Sequence, residues 1–214
     1  MNQLATVRSL QQRISEMQPL RLGEGGLPVA PELRPLLPSG VLQKGAPTSV
    51  RGSLQLSLSL LAAASAGGAW CGVIGVPDLG FECAEQLGLA LERLVVVPEP
   101  GRHALSIAGM LGEVLAALVL LPSQRPAAGE VERLNARLRD HGTAFIVMDE
   151  WPRSAASLRV AGSRWSGLGE GHGLLRVHEL AVDSTDRRGR RSHTVRFCEG
   201  RLVSSAPRIG GGRP

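Results

Sequence analysis

Five short strand-like runs alternate with helical stretches between residues 48 and 148, and that alternation leaves few folds open. The runs lie at 48–51, 70–76, 94–97, 117–121 and 143–148; the helical stretches lie at about 54–66, 81–92, 103–111 and 130–140. Such an order implies an α/β domain with a mostly parallel central sheet and helices on both faces. Each run is nearly all apolar, as a strand covered on both sides must be. One segment is ambiguous, because "SLQLSLSL" alternates with period two and fits a strand. It continues, however, through Ala62, Ala63 and Ala64 to Gly67-Gly68, and 13 residues of mostly Leu and Ala exceed an ordinary strand. A helix over 54–66 is therefore expected.

Past Trp151 the helical pattern stops. Residues 158–161, 174–182, 192–198 and 201–204 read as strands joined by Gly- and Arg-rich loops, so the sheet is expected to end in an antiparallel extension. "DSTDRRGRRS" (183–192) reads as a hairpin loop carrying four arginines. Upstream, Leu4, Val7, Leu10, Ile14 and Met17 recur at spacings of three and four and mark an amphipathic helix over 1–18. It serves either as packing for its own domain or as a partner-binding helix. Residues 19–45, rich in Pro and Gly, read as a linker, 46–205 as the core and 206–214 as a flexible tail.

A chain of 214 residues with 43% apolar side chains is globular and large enough for one real core. Residues 53–77 carry no charge, which raises the alternative of a membrane span. Four glycines interrupt that run, and it divides naturally into a buried helix and a buried strand. The N-terminus has no apolar signal core. Cys71, Cys83 and Cys198 are odd in number and form no C-x-x-C. A reducing cytoplasm is the expected compartment.

Charge is unevenly placed. Residues 1–150 hold 12 basic against 14 acidic side chains, whereas 151–214 hold 12 against 5. Arg187, Arg188, Arg190 and Arg191 crowd into five positions, and Arg176, Arg196 and Arg201 lie on the flanking strands. Guanidinium groups grip phosphates through paired hydrogen bonds, so these seven form a candidate surface for nucleic acid or an acidic partner. The other reading is a solvated hairpin tip. With three Phe, three Trp and no Tyr, few rings are available to stack on bases. Any nucleic-acid contact is expected to be backbone-directed and salt-sensitive. Only Lys44 is lysine, and an arginine bias of this kind also follows from a GC-rich genome.

The stretch "TSVRGSLQLSLSLL" places a strand, a Gly52-Ser53 turn and a helix in the order that opens a phosphate loop. A working loop needs G-x-x-x-x-G-K-[ST], with glycines for a nest of N–H groups, a lysine for the outer phosphates and a hydroxyl for magnesium. Here the nest is two residues long and no lysine stands at the helix start. Tight nucleotide binding is not expected, and neither a cofactor nor a metal is implied. The histidines show no H-x-x-x-H pair, no serine lies in G-x-S-x-G, and "GLGEGHG" (167–173) reads as a hairpin loop. "FIVMDE" ends an apolar strand in Asp149 and Glu150, as a magnesium-binding strand does, but it is the fifth strand rather than the fourth.

The blocks "LLPSGVLQKGAPTSVRG", "GGAWCGVIGV" and "LERLVVVPEPGRHALSIAGMLGEVLAALVLLPS", followed by the basic antiparallel stretch, resemble the core of the RecA family over roughly 38–204. The resemblance implies a catalytic glutamate after the second strand, where this chain has Pro77. It implies an aspartate at the end of the fourth, where this chain has Pro122. It also implies two DNA-contacting loops, shortened here to about 124–129 and 150–156. A RecA-like core without these motifs, preceded by a short N-terminal helix, is similar to the ImuA-type accessory proteins of bacterial SOS mutagenesis, and the arginine bias fits their actinobacterial branch. The similarity implies a non-enzymatic adaptor in translesion synthesis. Its implied partners are an ImuB-type Y-family-like protein and an error-prone C-family DNA polymerase, with RecA and a sequence-independent DNA contact as further expectations. Such a protein is cytoplasmic and joins the nucleoid when DNA is damaged.

Overall fold

The computed structural model describes residues 25–168 and 173–204. The stripe of Leu4, Val7, Leu10, Ile14 and Met17 and the tail at 206–214 lie outside them. The described chain begins with a two-stranded ladder, β1 (Leu27–Pro28) and β2 (Val41–Leu42), bracketing a 3-10 helix over Pro31–Leu36. Then come β3 (Pro47–Arg51), α1 (Leu54–Ala66), β4 (Cys71–Ile74), α2 (Phe81–Gln86), β5 (Leu94–Val97), α3 (Ala104–Leu111), β6 (Ala117–Leu120), α4 (Ala128–His141) and β7 (Ala144–Val147). The long strands β8 (Ala156–Leu168), β9 (Gly173–Asp186) and β10 (Gly189–Cys198) follow, and β11 (Arg201–Val203) closes the order.

Nine strands form one sheet in the order β11-β10-β9-β8-β3-β7-β6-β4-β5. From β8 to β5 the neighbours are parallel, and from β8 to β11 they are antiparallel. The expected parallel core with an antiparallel extension is therefore present. No helix among the described residues is long and apolar enough to cross a membrane.

Alternation along the central strands divides the core in two. Cys71, Val73, Ala117, Val119, Ala144 and Ile146 face α1, while Ile74, Leu118, Leu120, Phe145 and Val147 face α3 and α4. β4, β6 and β7 bury both faces, which is why each reads as an apolar run. On the α3–α4 side, Trp151 meets Phe145 edge-on at 5.7 Å and donates its indole N–H to Asn135 Oδ1 at 2.9 Å.

Helix α1 buries residues around its whole circumference, including Leu56, Ser57, Leu58, Ser59, Leu60, Leu61 and Ser65. Its buried hydroxyls are all satisfied: Ser57 Oγ donates to Ser53 O at 3.0 Å, Ser59 Oγ donates to Gln55 O at 2.7 Å, and Ser65 Oγ accepts from Ala90 N at 2.9 Å. A helix enclosed on every side needs a second cover besides the sheet. The segment expected to be a linker belongs to that cover. Leu27, Val29, Leu33, Leu36, Leu37 and Leu42 are buried in the same apolar cluster as α1. The backbone carbonyl of Leu36 accepts a hydrogen bond from the buried Ser184 Oγ at 2.7 Å. Residues 27–42 thus join the core to the antiparallel strands, and their Pro content shapes a short 3-10 turn rather than a loose connection.

Two other boundaries differ from expectation. α2 stops at Gln86, because Gly88 takes a φ of +99° and turns the chain before the 3-10 turn at Leu91–Arg93. The expected loop over 183–192 is strand on both sides, leaving only Arg187 and Arg188 in the turn between β9 and β10.

Leu36→Ala is expected to destabilise the protein by about 2–5 kcal/mol, the range for truncating an enclosed leucine. Urea unfolding measures it. A change within about 0.5 kcal/mol would mean that this segment behaves as exposed chain.

Candidate functional site

Two regions carry the candidate chemistry: the β3–α1 junction and the antiparallel extension. At the junction, Gly52 has a φ of +90°, and a Cβ there would lie 3.2 Å from Val160 Cβ. Ser53 caps α1: its side chain accepts from Leu56 N at 3.0 Å, and its carbonyl accepts from Ser57 N at 3.3 Å. A donor that would otherwise face a ligand is thereby taken up by the chain itself. Arg51 pairs with Glu150 beside this turn. Ser49 Oγ donates to the backbone carbonyl of Asp149 at 2.5 Å, and Asp149 Oδ1 accepts from Glu150 N at 2.7 Å. Both carboxylates of the "FIVMDE" run are thus engaged within the protein. Among the described residues, no three His, Cys, Asp or Glu side chains gather as metal ligands.

The connections after β6 and β7 span residues 121–127 and 148–155. Between them lies a crevice lined by Pro122, Arg125, Pro126, Asp149, Glu150 and Trp151. It stands at the carboxyl ends of parallel strands, where α/β sheets commonly hold ligands.

In the extension, strand register distributes the arginines. Cross-strand partners share a face, and the inner one buries Leu158, Leu180, Val182, Ser184, Val195 and Phe197. Arg176 and Arg191 fall on that inner side. Arg191 pairs with Asp186 at 2.5 Å and has a buried Nε without a partner, while Arg176 lies 3.7 Å from Glu199. Arg187 and Arg188 sit in the turn, where Arg188 N donates to Asp186 Oδ1 at 2.7 Å. Only Arg190, Arg196 and Arg201 of the seven expected residues share the outer face. Arg159 and Arg164, which sequence reading passed over, join them through their pairing with Asp183 and Glu179. Arg159 and Arg164 are five residues apart, a spacing that regular alternation would send to opposite faces, and the bulge between Val160 and Gly162 brings them to the same one.

Asp183 organises this outer face. Its carboxylate accepts from Ser192 Oγ at 2.6 Å, Arg190 Nη2 at 2.5 Å and Arg159 Nη2 at 2.9 Å. The Ser192 and Arg190 hydrogen bonds hold its pKa down at about 2. Arg196 lies 3.7 Å from Glu179.

The far end of the β8–β9 hairpin is exposed on both faces. Trp165 stacks on His178, with ring centroids 3.9 Å apart and planes 7° from parallel. His178 bonds Ser163 Oγ through Nε2 and Gln55 Oε1 through Nδ1, both at 2.8 Å. With Gln55 Oε1 as acceptor, Nδ1 carries the proton, and the ring ties the hairpin to the first turn of α1. Burial lowers the His178 pKa. Beyond this anchor Leu168, Leu174 and Leu175 join Trp165 as large exposed apolar side chains.

The model of the MT3502 N-terminal domain matches residues 35–153. The uncharacterised protein Rv3395c of Mycobacterium tuberculosis is 32% identical over 130 residues, covering 59% of this chain and 63% of that protein. This chain therefore matches less than two thirds of its curated relative's length. The crystal structure of the RadB recombinase superposes with a TM-score of 0.56 at 14% identity, covering 82% of this chain and 97% of RadB. The fold is thus that of the RecA-like recombinases, as the order of elements led us to expect.

An aspartate titrating near 2, below the ordinary 3.8, stabilises the fold fully above roughly pH 4 and loses that contribution as pH falls towards 2. Asp183→Asn is expected to lower the melting temperature at neutral pH, with the gap to the parent protein closing on acidification through this window. Thermal melts across the pH range measure it, and a gap that stays constant to pH 2 contradicts the assignment.

Proposed function

The chain belongs to the MT3502 N-terminal domain family, and on that premise we propose that it is a non-enzymatic adaptor of the ImuA type, acting in SOS-induced translesion synthesis. The observation that carries this reading is the closed β3–α1 junction: a RecA-like core whose phosphate-facing turn is capped by its own Ser53 and flanked by the Arg51–Glu150 pair. A core of that kind keeps its packing surfaces without a nucleotide to switch them.

The exposed end of the β8–β9 hairpin supports docking. Trp165 is 52% exposed and Leu174 67%, and they stand with Leu168 and Leu175 at one end of one hairpin. Exposed apolar side chains gathered at one end of a stiff, anchored element are a usual form of protein-binding site. The partners proposed for it are an ImuB-type Y-family-like protein and an error-prone C-family polymerase, with RecA as a third.

In extracts of DNA-damaged cells, the tagged full chain is expected to retain the Y-family-like protein and the polymerase. The Trp165→Glu/Leu174→Glu variant is expected to lose at least one of them while melting like the parent. Recovery of neither partner by the parent protein overturns the reading. Equilibrium titration with labelled ATP and magnesium tests the other half, and micromolar binding would contradict it.

A further inference from the structure

We propose that the outer face of the antiparallel extension binds the phosphodiester backbone of nucleic acid through Arg159, Arg164, Arg190, Arg196 and Arg201. This goes beyond the adaptor reading and does not depend on it. The five lie on β8, β10 and β11, with β9 between β8 and β10 carrying Asp183 and Glu179, and the register sets them in rows. Arg190 stands opposite Thr185, Arg159 opposite Asp183, Arg164 and Arg196 on either side of Glu179, and Arg201 opposite Cys198. Same-face rows in a strand are two residues apart, about 6.5–7 Å. That interval is close to the separation of neighbouring phosphates along one nucleic-acid strand. Four of the five successive rows carry an arginine, two on each side of the small-residue Ala181 row, so guanidinium groups recur at multiples of a step that a phosphate backbone can follow.

Charge points the same way. Five arginines against Asp183 and Glu179 leave a surplus of three positive charges on one exposed face. Asp183 holds Arg159 and Arg190 by direct bonds at 2.9 and 2.5 Å, so two of the five are positioned before any ligand arrives. Arg164 and Arg201 have no carboxylate partner among the described residues and are open to an incoming phosphate. The opposing occupant, an acidic protein, is disfavoured by the rest of the surface. Between the Thr185 row and the Val177 row this face holds no aromatic ring and no leucine, only small residues such as Gly162, Ala181, Ser192 and Thr194 among the charges. Protein interfaces take most of their affinity from buried aromatic and apolar anchors. Without rings there is no base stacking either, so recognition runs through the backbone and ignores sequence.

Fluorescence anisotropy of the full chain with a labelled oligothymidine and with a duplex of equal length tests this. Binding to at least one of them is expected. Neutralising about three phosphates predicts roughly 20- to 40-fold weaker binding between 50 and 200 mM salt. Arg164→Glu/Arg201→Glu is expected to weaken binding by more than about 10-fold, because two attractive charges become repulsive. The milder Arg164→Gln/Arg201→Gln should weaken it by a smaller factor; neither variant removes an ion pair seen here, and melts confirm that both fold. The turn variant Arg187→Glu/Arg188→Glu should stay much closer to the parent. The proposal is overturned if the parent binds neither probe at 50 mM salt, if the face variants bind like the parent, or if only the turn variant loses binding. Loss of a protein partner by the face variants with nucleic-acid binding intact overturns it as well, in favour of an acidic protein. All these variants keep Trp165 and Leu174, so failure here and failure of the adaptor reading are seen separately.

Discussion

The enclosure of α1 is the constraint on which the rest depends. A 13-residue helix without a single charge, placed against the middle of a parallel sheet, exposes an apolar back that water will not tolerate. The chain meets this with residues 27–42, whose leucines lie in the same cluster. Because that segment also bonds Ser184 through the Leu36 carbonyl, the cover and the antiparallel extension are one packed unit with the core. The 25 uncharged residues from 53 to 77 are thus a helix and a strand that meet in the centre of the molecule.

Enclosure also bears on the start of the helix. A phosphate nest needs several N–H groups converging on open space. Here Gly52 passes within close reach of Val160, and Ser53 turns back to cap its own helix. Once β8 packs beside this turn and His178 bonds Gln55, the first turn of α1 is fixed by protein groups from two directions. The same geometry that stabilises α1 without a ligand gives the long hairpin a rigid base.

Much of this was legible in the residues. The central strands were located to within two or three residues because burial on both faces leaves an unmistakable apolar run. The 54–66 helix was found in full because Leu and Ala outlast any strand. The cover over 27–42 was hidden because four of its residues between 27 and 38 are prolines, and proline density reads as linker even where Leu33 and Leu36 are enclosed. The strands β8 and β9 were read too short because their distal halves are exposed on both faces, so no apolar alternation marks them. For the arginines, composition disclosed the chemistry but not its direction. A bulge of one residue after Val160 decides which face β8 presents, and the two-residue turn sets the register that puts Arg190 outside and Arg191 inside. Counting charge along the chain cannot recover that parity.

Parity has a consequence for how one extension can serve two kinds of ligand. Electrostatic attraction to a phosphate backbone acts over a Debye length and weakens with salt. Apolar docking acts at short range and is largely indifferent to salt. Trp165 and Leu174 stand on the inner side of the distal hairpin, and the arginine rows lie on the opposite, outer face. Neither ligand needs the other's side chains. The hairpin is nevertheless a single element, tied at His178 to α1 and at Asp183 to Arg159 and Arg190. A partner held at its tip and a nucleic-acid strand held on its face would therefore be fixed relative to each other, and no nucleotide-driven change in the core would be required to keep them so.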